Sequence, residues 1–163
     1  MKIRMLKAVL ASSAILAVGL GSGAAHAATA TATAQARILQ QITVTNTASL
    51  NFGTIVTGAS ASTVAVSSAG AVTCGAGLTC QGTTTAANFG VAGTNGAIVT
   101  VSAPASVSLT SGANSMTASL AASTATLTLA AGSAFTVGGT LNVGANQADG
   151  NYSGTFAVTV NYQ

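Results

Sequence analysis

Few side chains in this 163-residue sequence can do chemistry, and they are thinly spread. Two cysteines bracket the run Cys74-Gly-Ala-Gly-Leu-Thr-Cys80. The single carboxylate is Asp149, the single imidazole is His26, and the bases are Lys2, Arg4, Lys7 and Arg37. A cysteine pair can form a disulfide, exchange electrons or help to hold a metal. The spacing is not Cys-x-x-Cys and no histidine accompanies it, which makes redox and zinc readings poor. Gly75 and Gly77 make the intervening loop easy to close, so the expectation is a structural staple across a loop or hairpin tip.

The N-terminus argues for the same outcome. Lys2, Arg4 and Lys7 precede an apolar run from Ala8 to Leu20 and a small-residue stretch ending Ala25-His26-Ala27. That order describes a secretory signal peptide over residues 1–27, with cleavage after Ala27. Thirteen apolar-run residues fall short of the roughly 20 that cross a bilayer, which disfavours a membrane anchor. In an exported chain an even cysteine count points to a disulfide between Cys74 and Cys80.

Cleavage would leave 136 residues, enough for one domain with one sizeable core. It would also remove every charge except Arg37 and Asp149, together with the only histidine. Nucleic acid is then an improbable partner, because binding it needs clustered Lys and Arg to neutralise phosphates. Acid/base catalysis near neutral pH needs His, Glu, Asp or Lys within reach of a substrate, and a serine or threonine nucleophile needs a base beside it. Asp149 alone supplies little of this. No enzyme activity, cofactor or metal site is expected.

The elements that must hold these residues are strands. Short alternating runs are divided by Gly, Ser, Asn and Ala, and no helical period persists. Strands are expected at 42–46, 50–56, 63–67, 97–103, 107–110, 116–120, 126–129 and 135–143. Their inward residues would be Ile42 with Val44, Val64 with Val66, Val99 with Val101, Val107 with Leu109, and Phe135 with Val137, Leu141 and Val143. Pro104 suits a strand end. Gly138-Gly139 is either a hairpin turn or a bulge within one strand. About eight strands in this length suit an all-β Greek-key sandwich. An outer-membrane barrel would need longer strands and aromatic girdles that four Phe and two Tyr cannot supply.

The last fourteen residues alternate most strictly. Gly150, Tyr152, Gly154, Phe156, Val158, Val160 and Tyr162 share one face, and the odd positions are polar except Ala157. This segment resembles the C-terminal signature of chaperone/usher pilins, which has an alternating strand, a penultimate Tyr and a Gly fourteenth from the end. More broadly, Ile-Thr-Val-Thr-Asn-Thr at 42–47, Leu-Asn-Phe-Gly at 50–53 and Gly-Asn-Tyr-Ser-Gly-Thr-Phe at 150–156 make the chain similar to small exported bacterial proteins like the spore-coat-U-type pilins. The resemblance implies an incomplete immunoglobulin-like Greek-key β-sandwich at 39–163. It also implies that Gly150, Tyr152, Phe156, Val158, Val160 and Tyr162 pair with a periplasmic chaperone and later border the groove. Familiar pilins often bridge early strands, whereas Cys74 and Cys80 would close a local loop.

The same resemblance implies an N-terminal donor strand at 28–38, and Ala28, Ala30, Ala32, Ala34, Ala36 and Ile38 would share its apolar face. A neighbouring chain's strand would then cover the core of an incomplete sandwich. The competing reading is a plain small-residue leader before the first strand. The function implied is a structural subunit of a surface fimbria. Its partners would be copies of itself or related pilins, the chaperone and an outer-membrane usher, and its route would run through the periplasm to the cell surface. A self-contained secreted sandwich or a ligand-binding adhesin is the alternative. Near-zero charge and 49% apolar content favour assembly.

Overall fold

A computed structural model describes residues 27–163. The expected signal peptide, apart from Ala27, lies outside the described residues. Arg37–Gln163 form one compact unit. Residues 27–36 carry no regular secondary structure.

The compact unit is built from strands, all paired antiparallel, and the described residues contain no helix. The organising strand is β11, Ala134–Val143. Along one edge its first half pairs with β6 (Ala87–Ala92) and its second half with β3 (Ser62–Val66). Along the other edge runs β9, Asn114–Ala122, which pairs in turn with β8, Ser106–Ser111. Beyond β6 lies β1 (Thr43–Ala48), and beyond β3 lies β4 (Val72–Cys74), completing a seven-stranded sheet.

The long strand answers the question posed by Gly138-Gly139. Both glycines lie inside β11, where its edge changes partner from β6 to β3. A Cβ at Gly138 would fall 2.7 Å from the Ser68 nitrogen and 2.8 Å from the Ser67 carbonyl carbon. The end of β3 therefore crosses too closely for any side chain at this point.

Two smaller sheets cover this curled sheet. A three-stranded sheet of β10 (Thr126–Thr128), β7 (Ile98–Ser102) and β12 (Thr159–Tyr162) contributes Val99, Val101 and Val160 to a core shared with Phe89, Val91, Phe135 and Val137. A two-stranded ribbon of β2 (Thr54–Val56) and β5 (Thr79–Gln81) lies by a second cluster of Phe52, Val64, Val66, Ala118, Leu141 and Val143. No polar or charged residue is fully buried among the described residues. Burial of apolar surface, at about 25 cal/mol per Å², therefore holds the layers together without a buried ionic network.

Several expectations need correction. Three strands, β4, β5 and β6, go beyond those expected from the sequence, and β6 lies inside the large sheet between β1 and β11. Its sequence Ala-Asn-Phe-Gly-Val-Ala is rich in residues that strands disfavour, yet both its edges are paired, and Ala87, Phe89 and Val91 are buried in alternation against Val99, Val101 and Val160. The strand expected over 50–56 is regular only at Thr54–Val56. Leu50 and Phe52 point inward, then the phase shifts to Ile55 at Gly53, whose φ is +76°. Val44 stands opposite the buried Val91 but is 37% exposed, because β1 is an edge strand with nothing beyond it.

Cys74 and Cys80 are disulfide-bonded. The bond does not close the tip of a single hairpin. Cys74 ends β4 in the large sheet, while Cys80 lies in β5 opposite Ile55 of β2. The staple thus ties the two-stranded ribbon to the large sheet.

Candidate assembly surface

The terminal segment is where alternation was clearest, and its burial follows that alternation. Tyr152, Phe156, Val158 and Tyr162 are half-buried and Val160 is buried, while every odd position from Asn151 to Gln163 is exposed. Phe156 meets the ring of Phe89 edge-on, with centroids 6.1 Å apart, and Phe89 stacks on Phe135 at 5.3 Å. Its pairing is sparser than an unbroken strand would give. Ser153 bridges Thr110 of β8, and only Thr159–Tyr162 forms a ladder, with β7. Gly154 lies against Ser108 of β8, where a Cβ would strike the carbonyl oxygen, and residues 154–158 carry no regular secondary structure.

This arrangement leaves one edge open. Ser153 and Thr110 exchange both of their backbone bonds, at 3.1 and 2.9 Å. The C=O of Tyr152 and the N–H of Gly154 share peptide planes with the two bonded Ser153 groups and point the opposite way, so both face away from β8. At the far end the Gln163 N–H donates to the Ile98 carbonyl at 3.1 Å. By the same alternation Val160 and Tyr162 face away from β7. No described strand pairs with β12 beyond its β7 partner.

Beside the start of this segment the second core cluster is open to solvent through a groove of about 650 Å³. Its apolar lining includes Phe52, Leu109, Met116, Leu141 and Val143. One wall is the stretch 50–57 and the other is 147–152. The second wall is braced by Tyr152, whose hydroxyl accepts from Gln147 Nε2 and donates to the Ala148 carbonyl, each at 2.8 Å. Gly150 begins the terminal segment at φ +151°, and a Cβ there would collide with Ser111 Oγ. A side chain at 150 would therefore make Ser111 turn aside and would strain a backbone conformation that glycine alone adopts readily. The lining carries one carboxylate, Asp149, and one phenol, Tyr152. What it can do is bury apolar side chains and meet backbone groups at its rim.

At the opposite end of the terminal segment Tyr162 anchors the approach to β1. Its hydroxyl accepts the Thr94 N–H and donates to the Gln40 carbonyl, each at 2.7 Å, and the Gln40 N–H donates to Thr94 Oγ1 at 2.7 Å. Two residues before this clamp, Ile38 is 92% exposed, while Leu39 is half-buried. Ala28, Ala30, Ala32, Ala34 and Ala36 belong to the stretch without regular structure.

The structure thus gathers Gly150 and Tyr152 at the groove and Phe156, Val158, Val160 and Tyr162 along the first core cluster. Sequence reasoning missed the groove's other wall and floor. Alternation makes Leu109 an ordinary inward residue, and it places Met116 at a strand start and Phe52 within a regular strand. The interrupted phase at Leu50-Asn-Phe-Gly-Thr-Ile55 was the available signal. Among the described residues no group of three or more His, Cys, Asp or Glu gathers as a metal site, and no helix is long and apolar enough to cross a membrane.

These features define an all-antiparallel β protein with a disulfide-tied ribbon and an open apolar groove. The chain belongs to a family described as a domain of unknown function, DUF4402, whose pattern matches residues 42–162. No curated protein and no solved structure matches it.

Proposed function

We propose that this chain is an exported structural subunit that polymerises at the bacterial cell surface by strand donation, as the pilin resemblance implies. On this reading residues 39–163 are an incomplete immunoglobulin-like Greek-key sandwich. Its missing strand lies along the terminal segment, and residues 28–38 of a neighbouring subunit supply it. The observation that carries the reading is the open groove over the second core cluster beside a terminal segment that has no strand partner on its outer side at Tyr152, Val160 and Tyr162. An extended apolar peptide meets both needs at once, with main-chain hydrogen bonds giving affinity and alternate side chains filling the groove. A periplasmic chaperone would use the same edge before assembly, and an outer-membrane usher would pass subunits to the surface.

The disulfide suits an oxidising compartment. With only Arg37 and Asp149 charged in residues 27–163, little repulsion keeps copies apart. The test is to export the full chain and a version lacking residues 28–38, then examine surface material for filaments and SDS-resistant ladders. Ladders from the full chain alone are expected. Equal ladders from both would end the strand-donation reading, and a stable monomer from the deletion without any chaperone would support a self-contained sandwich.

A further inference from the structure

The two charges in residues 27–163 stand at informative places. Asp149 is exposed on the groove wall, one residue before the terminal segment begins. Arg37 is exposed at the end of the leader, three residues before the Gln40 clamp. Where no other side chain is charged, a lone guanidinium and a lone carboxylate have few competing side-chain partners.

We infer that Arg37 of one copy pairs with Asp149 of the next, and that this ion pair sets the register of the donated strand. The inference rests on the strand-donation reading and adds the alignment. With Arg37 opposite Asp149 and the strands antiparallel, opposed residue numbers sum to an even value, so the even alanine face of the leader meets the even, inward face of the terminal segment. Ala34 then stands opposite Tyr152 and Ala30 opposite Phe156. A small side chain beside each large ring suits a cross-strand pair over a crowded core. The pairing also uses the backbone groups of Tyr152 and Gly154 that face away from β8. The leader from 28 to 37 spans about 33 Å when extended, enough to run from Asp149 to the neighbourhood of Val158.

A one-residue slip would turn the Thr and Gln face inward, and alanines resist a two-residue slip only weakly because successive alanines are alike. The ion pair supplies the distinction that the repeating leader lacks. The pairing is between copies. Within one chain Gln40 is held by Tyr162 and Thr94, so Arg37 is tethered at the end of the terminal segment opposite to Asp149.

The experiment compares full-length exported protein with Arg37→Asp, Asp149→Arg and the double variant that exchanges the two charges, measuring the lowest concentration that yields SDS-resistant ladders. Circular dichroism of the monomer fraction checks that each exposed substitution leaves the fold intact. Each single variant is expected to need about two- to fivefold more protein, the range of an exposed ion pair, and the double variant to return to the wild-type value. In 1 M salt the differences should shrink, because the screening length falls to about 3 Å. Wild-type behaviour of either single variant, or a double variant no better than the singles, overturns the ion pair while leaving strand donation standing. Wild-type protein that forms no ladders, or a variant without residues 28–38 that forms them normally, removes both.

Discussion

The Tyr162 hydroxyl donates to the Gln40 carbonyl at 2.7 Å, joining the last strand to the approach to the first across 122 positions of sequence. The same oxygen accepts the Thr94 N–H, so one phenol closes three segments onto each other. A penultimate tyrosine in an alternating strand could have been only another apolar face residue, but here its polar tip holds the root of the leader.

Tyr162→Phe keeps the ring and removes both bonds. The Thr94 N–H is partly buried and would lose its acceptor, so the cost should be about 1–2 kcal/mol. Urea denaturation should show a lowered midpoint with an unchanged slope, and amide exchange at Thr94 should accelerate. An unchanged midpoint would mean that the clamp contributes nothing to the folded chain.

Leu141 is 2% exposed in the second core cluster, whereas Ile38 is 92% exposed. Leu141→Ala should destabilise by about 2–5 kcal/mol. Ile38→Ala should leave monomer stability within about 0.5 kcal/mol and, if strand donation buries this side chain in a neighbour, should instead reduce ladder formation. Thermal melts of both variants beside ladder yields separate the two roles. A large melting shift for Ile38→Ala would place that side chain in its own chain's core.

The outline of this fold was legible where side-chain period and burial agree. Val64 with Val66, Val99 with Val101, and Phe135, Val137, Leu141 and Val143 are buried as alternation requires. Legibility failed where pairing rather than composition makes the strand. Ala87–Ala92 becomes a central strand because β1 and β11 flank it, and nothing in Ala-Asn-Phe-Gly-Val-Ala announces two partners. The terminal segment shows the reverse case. Its period was plain from the residues, yet a strict period does not require a complete ladder, and only Thr159–Tyr162 has one. The groove was least legible of all, since it depends on the phase shift at Gly53 and on two walls about 95 residues apart in sequence.

The disulfide should act locally. By the chain-entropy estimate, closing so short a loop contributes about 2–3 kcal/mol. Because Cys80 lies in the β2–β5 ribbon and Cys74 in the large sheet, replacing both by serine should loosen the ribbon first. Hydrogen exchange should rise at 54–56 and 79–81 before it rises at β11. Uniform acceleration across all strands would show that the bond supports the whole fold equally.

The final prediction concerns parity in the leader. If residues 28–38 enter a neighbour's groove as a strand, the even positions turn toward the apolar lining and the odd positions toward solvent. Ala32→Asp would drive a carboxylate among apolar side chains, at a cost of several kcal/mol unless the strand shifts or stays out. Thr33→Asp adds the same charge one residue away, on the face that remains wet. The pair controls for net charge, for leader composition and for proximity to Arg37. Ladders should be lost with Ala32→Asp and retained with Thr33→Asp, and export levels of both should match the wild type. Equal loss in both variants would indicate a general electrostatic effect. Equal retention would show that no face of the leader is buried in the assembly, and the groove would then need another occupant.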